Sequence, residues 1–222
     1  MELAGEIREV WDDKEIVIIG RSGQLLPGYL PEVQGDLERQ LGTLGIELRL
    51  GTTLVAPPAT PDGILESFTV RTTTGEKIRA DIWFTTFGAR VNTAWLQNSP
   101  AVPLTDEGTV LVDRHLNVVG SGRISALGDI ADLTDPKMAT WAQQQAAVVS
   151  ENIASRLEGR DPAAEYTPTV QLRIFLPLGT RAGVGQVPTP AGAAAPASLQ
   201  TVIDRKGSDL FTARFAARFH RA

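Results

Sequence analysis

The sequence predicts an α/β fold in which short parallel strands are covered by helices. Apolar residues recur at helical spacing from Leu3 to Val10, a β-branched run follows at residues 16–19, and the helix–strand order then repeats. Short strands without polar alternation are typical of a sheet buried on both faces. The chain differs from a doubly wound nucleotide-binding fold in its order, because that fold opens on a strand and a glycine-rich turn.

The second helix and strand follow a loop that contains Pro27, Gly28 and Pro31. The helix is predicted from apolar positions three or four residues apart, namely Val33, Leu37, Leu41 and Leu44. Gly45 is expected to end it, and residues 46–50 are expected to form the next strand.

The rest of the chain mixes short strands with one long helix. We expect a helix that begins with Asp135 as its N-cap and Pro136 as its first residue, and that is closed by Gly159. Residues 188–196 form a loop by composition, and residues 88–103 indicate a linker. Strands are expected at residues 68–72, 77–79, 82–84, 110–112, 118–119, 124–127, 170–176 and 199–203.

Composition excludes several classes of function. The 222 residues contain no cysteine and two histidines, which excludes a disulfide framework, a thiolate metal site and a cysteine redox pair. A net charge of −5 disfavours a nucleic-acid binder. The acidic amino terminus carries no signal peptide, and no apolar run reaches the roughly 20 residues that a membrane span needs. We therefore expect a cytoplasmic protein whose redox chemistry, if any, uses an organic cofactor and no metal.

Several residues follow predicted strands, where α/β folds bind ligands. Asp129 is suited to accept hydrogen bonds from ligand hydroxyls, and a turn-capping aspartate is the alternative. Lys137 would oppose the helix dipole in the first turn, which favours an anionic neighbour, although a solvated lysine fits equally well. Arg21 stands where an acid would bind an adenosine ribose, so it suits a 2′-phosphate, and a charged loop residue is the alternative.

Aromatic residues recur every fourth position near the end of the chain, between arginines. Phe211, Phe215 and Phe219 indicate either peripheral contact with an anionic membrane surface or a stripe packed on the protein itself. Peripheral contact would place the protein at the inner face of a membrane.

Six short segments carry a resemblance to a known family: residues 2–7, 25–27, 44–48, 86–88, 126–129 and 136–139. In this order they resemble the pyridine-nucleotide-dependent flavoproteins that contain two dinucleotide-binding folds. The nearest likeness is to ferroptosis-suppressor flavoproteins related to apoptosis-inducing factor, followed by the type II NADH dehydrogenases. Residues 166–168, 183–186 and 209–211 resemble the carboxyl-terminal region of that subgroup.

The resemblance implies an incomplete version of this two-domain fold. Residues 1–91 would be a Rossmann-like NAD(P)H-binding domain without its first strand, residues 92–165 a linker and the carboxyl-terminal part of the FAD-binding domain, and residues 166–222 a small α+β region. FAD is the implied cofactor, NAD(P)H the implied co-substrate and a quinone the implied electron acceptor. The resemblance places Gly128 and Asp129 on the ribityl chain of FAD, and Lys137 and Met138 beside its isoalloxazine ring.

The same resemblance places Glu2 near the nicotinamide, so that Glu2 and Lys137 are the expected catalytic residues. Thr86 and Gly88 would border the nicotinamide pocket. Glutamines 143–145 correspond to glutamines near the quinone in type II dehydrogenases, or else form a solvated helix face.

The sequence departs from the family pattern before Glu2, where a strand and a glycine-rich turn are expected. We therefore expect a truncated chain that is inactive alone. The alternative is a non-catalytic partner with a vestigial nucleotide fold, which self-associates, as in a homodimer, through an open sheet edge.

Overall fold

The structure of the chain is a computed structural model that describes residues 1–88, 90–168 and 173–207. The chain divides into two compact units. The first comprises Met1–Thr85 together with Gln171–Ala222, and the second comprises Thr86–Val170. The domain boundaries expected at residues 91 and 165 stay predictions.

The first unit begins with two helix–strand pairs, in the order that the sequence predicts. These elements are α1 (Glu2–Val10), β1 (Ile16–Gly20), α2 (Pro31–Thr43) and β2 (Ile46–Leu50). β1 and β2 run parallel, with Ile16 opposite Ile46. Gly45 follows α2 with a φ of +64°, in the left-handed region that favours glycine. The predicted helices, strands and helix-ending glycine are thereby confirmed.

A β-hairpin follows, formed by β3 (Phe68–Arg71) and β4 (Lys77–Ala80) as expected. The strand expected at residues 82–84 is wrong, because the structure assigns no strand there. Trp83 is held by an irregular loop instead: its indole Nε1 donates to the carbonyl of Thr60 at 2.8 Å. The Trp83 carbonyl accepts from the backbone N–H of Gly63 at 2.9 Å.

The carboxyl-terminal part of the first unit is an antiparallel three-stranded sheet of β5 (Ile174–Leu178), β6 (Ala182–Pro188) and β7 (Ala194–Pro196). The strand predicted at residues 170–176 extends to Leu178, and residues 169–172 lie outside the described residues. The loop expected at residues 188–196 contains β7. The strand expected at residues 199–203 is wrong: Leu199–Val202 form a helix, α4, because the Ser198 hydroxyl caps it by accepting from the Thr201 N–H.

The first unit has a core shared by α1, α2, the β1–β2 sheet and the sheet of β5, β6 and β7. Leu37 and Leu41 of α2 are fully buried in it, and each such side chain contributes about 1.5–3 kcal/mol of burial. The Gln40 carboxamide joins α2 to β6, because it both donates to the Gly183 carbonyl and accepts from its N–H. The buried members of this core are Ala4, Leu25, Val33, Leu37, Leu41, Ile46, Leu176, Leu178 and Val184.

The second unit contains one long helix and little regular sheet. The strands expected at residues 110–112, 118–119 and 124–127 are wrong as continuous strands, because isolated bridges such as Val112 with Val118 replace them. The helix, α3, spans Ala139–Leu157 and is followed by Gly159, whose φ of +75° confirms the predicted end. Two apolar clusters stabilise the unit: Leu96, Val102, Val110 and Val118, and separately Leu116, Val149 and Tyr166.

Gly5 marks a close approach between α1 and β5 that can be tested by substitution. A Cβ at this position would lie 2.5 Å from Leu178 Cα, so Gly5→Ala requires a backbone shift and should destabilise the protein by about 1–3 kcal/mol. Gly42 of α2 has open space around it, so Gly42→Ala should instead stabilise by about 0.5–1 kcal/mol. Urea unfolding measures both changes, and equal effects would contradict the packing of α1 on β5.

Candidate functional site

A shallow cleft lies in the second unit, between the turn at Gly128 and the start of α3. The turn is one 3₁₀ turn, Gly128–Ile130, and the Gly128 φ of +76° suits only glycine well. The Asp129 carboxylate is on the exposed side of this turn. The lining residues are Gly128, Asp129, Leu133, Asp135, Pro136, Lys137, Met138, Trp141, Ala142 and Gln145.

A buried carboxamide joins the two walls of the cleft. Gln145 is 2% exposed, and its Oε1 accepts from the Gly128 N–H at 2.6 Å. Its Nε2 donates to Asp135 Oδ2 at 3.1 Å. Gln145 therefore fixes the Gly128 turn to α3. Its carbonyl oxygen binds the Gly128 N–H and its amide nitrogen binds the Asp135 carboxylate, so both groups have a partner inside the protein.

Asp135 receives a second hydrogen bond, from the Tyr166 hydroxyl at 2.7 Å. Burial, followed by this bond to Asp135, raises the pKa of Tyr166 above its ordinary value. The hydroxyl consequently keeps its proton at neutral pH and remains a donor. The chain of contacts from Gly128 through Gln145 and Asp135 to Tyr166 is a continuous polar network beneath the cleft.

The start of α3 differs from the sequence prediction. The expected N-cap, Asp135, does not cap the helix, because its carboxylate is directed to Gln145 and Tyr166. The helix begins three residues later than expected, at Ala139, with Met138 as an N-cap that makes no side-chain capping bond. Lys137 accordingly precedes the helix, and its Nζ donates to the Ala131 carbonyl at 2.7 Å.

Trp141 lines the cleft with an indole donor. The residue is 8% exposed, and its indole Nε1 is buried without a hydrogen-bond partner among the described residues. An unpaired buried donor costs about 1–3 kcal/mol. The residues around the cleft thus include an exposed carboxylate, a helix start without a side-chain cap and an indole N–H that no described residue accepts from.

The structure brings together four of the predicted site residues, Gly128, Asp129, Lys137 and Met138, around this cleft. Thr86 and Gly88 are exposed residues of the second unit and do not line it. Their expected place at a nicotinamide, like the roles expected for the other site residues, stays a prediction.

The remaining predicted residues belong to the first unit or fall outside the described part. Glu2 is the exposed first residue of α1. Arg21 is exposed in the loop after β1, which is held to the loop after β2 by backbone bonds from Gly51 to Ser22 and from Thr52 to Gly20. The aromatic stripe of Phe211, Phe215 and Phe219 lies outside the described residues.

The sequence-based prediction missed Trp141 and Tyr166 as site residues, and it named Gln145 only together with Gln143 and Gln144. A signal was present for Trp141 and Gln145, because the buried positions of α3 recur at helical spacing: Trp141, Gln145, Val149 and Asn152. Gln145 is thus separated from its neighbours Gln143 and Gln144, which are exposed. The expectation that all three form a solvated face is therefore wrong for Gln145.

Comparison with known proteins gives a consistent set of matches. The family model described as pyridine nucleotide-disulphide oxidoreductase matches residues 1–146. Ferroptosis suppressor protein 1 of Taeniopygia guttata is 31% identical, covering 84% of this chain and 50% of that protein. The FAD-dependent oxidoreductase FVFD30 of Flammulina velutipes is 31% identical, covering 83% and 56% respectively. The chain spans about half the length of the curated relatives it matches.

Solved structures agree in fold. A FAD-dependent pyridine nucleotide-disulphide oxidoreductase from Desulfovibrio vulgaris superposes with a TM-score of 0.64 at 17% identity, covering 83% of this chain and 45% of that one. A water-forming NADH oxidase from Lactobacillus brevis, solved with NADH, gives a TM-score of 0.60 at 20% identity, covering 79% and 37%. The chain therefore has part of a two-dinucleotide-domain flavoprotein fold, and the α/β fold class that the sequence predicts is confirmed.

The network beneath the cleft can be tested by removing its central carboxamide. Gln145→Ala removes the acceptor of the Gly128 N–H and one donor to the Asp135 carboxylate. We therefore expect the free energy of unfolding to fall by about 2–3 kcal/mol. Gln144→Ala, on the exposed side of the same helix, should change it by less than about 0.5 kcal/mol. Urea unfolding compares the two variants. Equal stabilities would show that the carboxamide does not hold the turn to α3.

Proposed function

Because the chain belongs to the pyridine nucleotide-disulphide oxidoreductase family, we propose that it is part of an FAD-dependent NAD(P)H oxidoreductase that reduces a quinone-like acceptor. Homology to a protein named an FAD-dependent oxidoreductase supports the cofactor. The quinone rests on the likeness to ferroptosis suppressor protein 1. The 222 residues contain no cysteine, so they supply no cysteine pair between the cofactor and its acceptor.

The observation that carries this proposal is the convergence of Asp129 and the start of α3 on one cleft. Asp129 presents acceptor oxygens, which suit the hydroxyls of a ribityl chain. The helix start and the Trp141 N–H present donors, which suit the carbonyl oxygens of a flavin ring. The donors and acceptors present therefore match those of the flavin part of FAD in hydrogen-bonding sense.

FAD, when bound, supplies the two-electron acceptor that NAD(P)H reduces. In our proposal, Gly128 allows the backbone turn that presents Asp129, and the Asp129 carboxylate holds a ligand hydroxyl. Lys137 supplies positive charge at the helix start, where negative charge develops during reduction. Met138 borders the ring as an apolar contact.

The first unit is proposed to bind the nicotinamide nucleotide. Glu2 would contact the nicotinamide from the amino terminus of α1. No glycine-rich phosphate-binding turn occurs within the 222 residues, so we propose that this chain does not turn over substrate by itself.

Membrane contact and self-association of the proposed enzyme rest on separate observations. No helix in the described ranges is both long and apolar enough to cross a bilayer. Peripheral membrane contact through Phe211, Phe215 and Phe219 rests on the sequence pattern alone. Self-association is favoured by β1, which pairs with β2 and with no other strand of the described chain. A cytoplasmic location and a homodimer both stay predictions.

The flavin-binding role predicts a specific loss when Asp129 is changed. We expect the full chain to bind FAD saturably, and Asp129→Ala to weaken the binding about 10-fold or more, because a charge-assisted hydrogen bond is lost. The exposed residue Asp161 provides the control, and Asp161→Ala should bind FAD like the wild type. Titration followed by flavin fluorescence measures the dissociation constants.

Two outcomes of this titration would contradict the proposal. If the wild type shows no saturable binding up to about 1 mM FAD, its binding free energy is weaker than about −4 kcal/mol. That result would argue against a flavin site. If light scattering then shows a stable dimer, the non-catalytic, self-associating alternative would replace the enzyme proposal.

The choice between NADPH and NADH can be tested at Arg21. A guanidinium after β1 suits a 2′-phosphate, so we expect 2′,5′-ADP to bind more tightly than 5′-AMP, and Arg21→Ala to abolish a preference of about 10-fold. Arg39, an exposed arginine paired with Asp36 on α2, provides the control through Arg39→Ala. Calorimetric titration gives the affinities, and equal affinities of the wild type for both nucleotides would show that Arg21 does not bind a 2′-phosphate.

A further inference from the structure

The four tryptophans of the chain differ in what their indole N–H groups do. Trp83 donates to the Thr60 carbonyl at 2.8 Å, and Trp95 donates to the Asn92 carbonyl at 3.0 Å. Trp11 is 52% exposed, so it can reach water. Trp141 is both buried and without a hydrogen-bond partner in the described residues.

The position of Trp141 in the fold also bears on its role. It stands in the first turn of α3, where its backbone N–H donates to the Met138 carbonyl at 3.1 Å. It lines the same cleft as Asp129 and Lys137. The neighbouring polar groups in that cleft are directed elsewhere: Gln145 to Gly128 and Asp135, and Lys137 to Ala131.

We infer that the Trp141 indole N–H donates a hydrogen bond to an acceptor atom of the flavin isoalloxazine ring. This inference rests on the proposed function, which places a flavin in the cleft. The indole nitrogen can only donate, and the pyrimidine part of the ring presents two carbonyl oxygens and the N1 nitrogen, each of which can accept from it. We assign the acceptor to the ring because Trp141 lies one helical turn from Met138, which is expected beside the ring. The ribityl hydroxyls are already suited by Asp129.

Such a donor has opposite effects on the free and the flavin-bound protein. In the free protein the unpaired N–H is unfavourable, so replacing Trp141 with phenylalanine removes that penalty while keeping most of the apolar packing. In the bound protein the N–H gains its acceptor, so the same replacement removes a contact. A purely structural tryptophan would lower the stability of both forms alike.

The test compares Trp141→Phe with Trp83→Phe in the full chain. For Trp141→Phe we expect an unfolding temperature without flavin that is equal to or above that of the wild type, and an FAD dissociation constant raised about 3–10-fold. For Trp83→Phe we expect the reverse, a lower unfolding temperature and an unchanged dissociation constant, because Trp83 already bonds to a protein carbonyl. Thermal unfolding and flavin titration supply the two measurements.

A second measurement follows flavin binding by the wild type itself and uses Trp141→Phe only to assign one signal. With ¹⁵N-labelled protein, the indole signal that is missing in Trp141→Phe should be the one that shifts most when FAD is added to the wild type. Lumiflavin, which lacks the ribityl chain, should shift the same signal. A shift with FAD but not with lumiflavin would overturn the assignment to the ring.

The outcomes separate the inference from the proposed function. If the wild type binds no flavin, both fail. If the wild type binds FAD and Trp141→Phe binds it equally well, only the inference fails. A loss of stability in flavin-free Trp141→Phe as large as that in Trp83→Phe would also overturn it, because the indole would then have a partner in the free protein.

Discussion

The geometry of the candidate site depends on the carboxamide of Gln145. It accepts from the Gly128 N–H and donates to Asp135, so one side chain of α3 fixes both the turn that presents Asp129 and the segment that leads into the helix. These bonds are buried, where an unmet hydrogen bond is most costly. The turn needs glycine for its positive φ, and glycine supplies no side chain to hold the turn in place. The anchoring therefore has to come from the facing helix.

The same network explains why the helix start was mispredicted. Asp135 followed by Pro136 is a strong local signal for a helix start, yet the carboxylate bonds to residues 10 and 31 positions further along the chain. A local pattern cannot reveal that a side chain is used by distant partners. The error at residues 199–203 has the opposite origin, because a single capping serine decides the conformation of a short apolar segment.

Helices and strands whose pattern of apolar residues is visible within the element itself were predicted well. The apolar stripes of α1 and α2, the β-branched β1 and the glycine after α2 all carry their signal within a few residues. The second unit was predicted less well as structure, since its apolar segments pair through isolated bridges and two small clusters. Four residues that line its cleft were nevertheless predicted to share a site, because the resemblance depends on the order of short motifs and not on regular strands.

The cleft and the composition together constrain the chemistry beyond the family assignment. The family model is described in terms of disulphides, and the 222 residues contain no cysteine. These residues therefore contribute no thiol pair that could relay electrons. Around the cleft they supply groups that bind and position a ligand: a carboxylate at Asp129, an ammonium at Lys137 and an indole at Trp141. The chemistry that this part of the protein supports is accordingly the binding of a cofactor that carries the electrons itself.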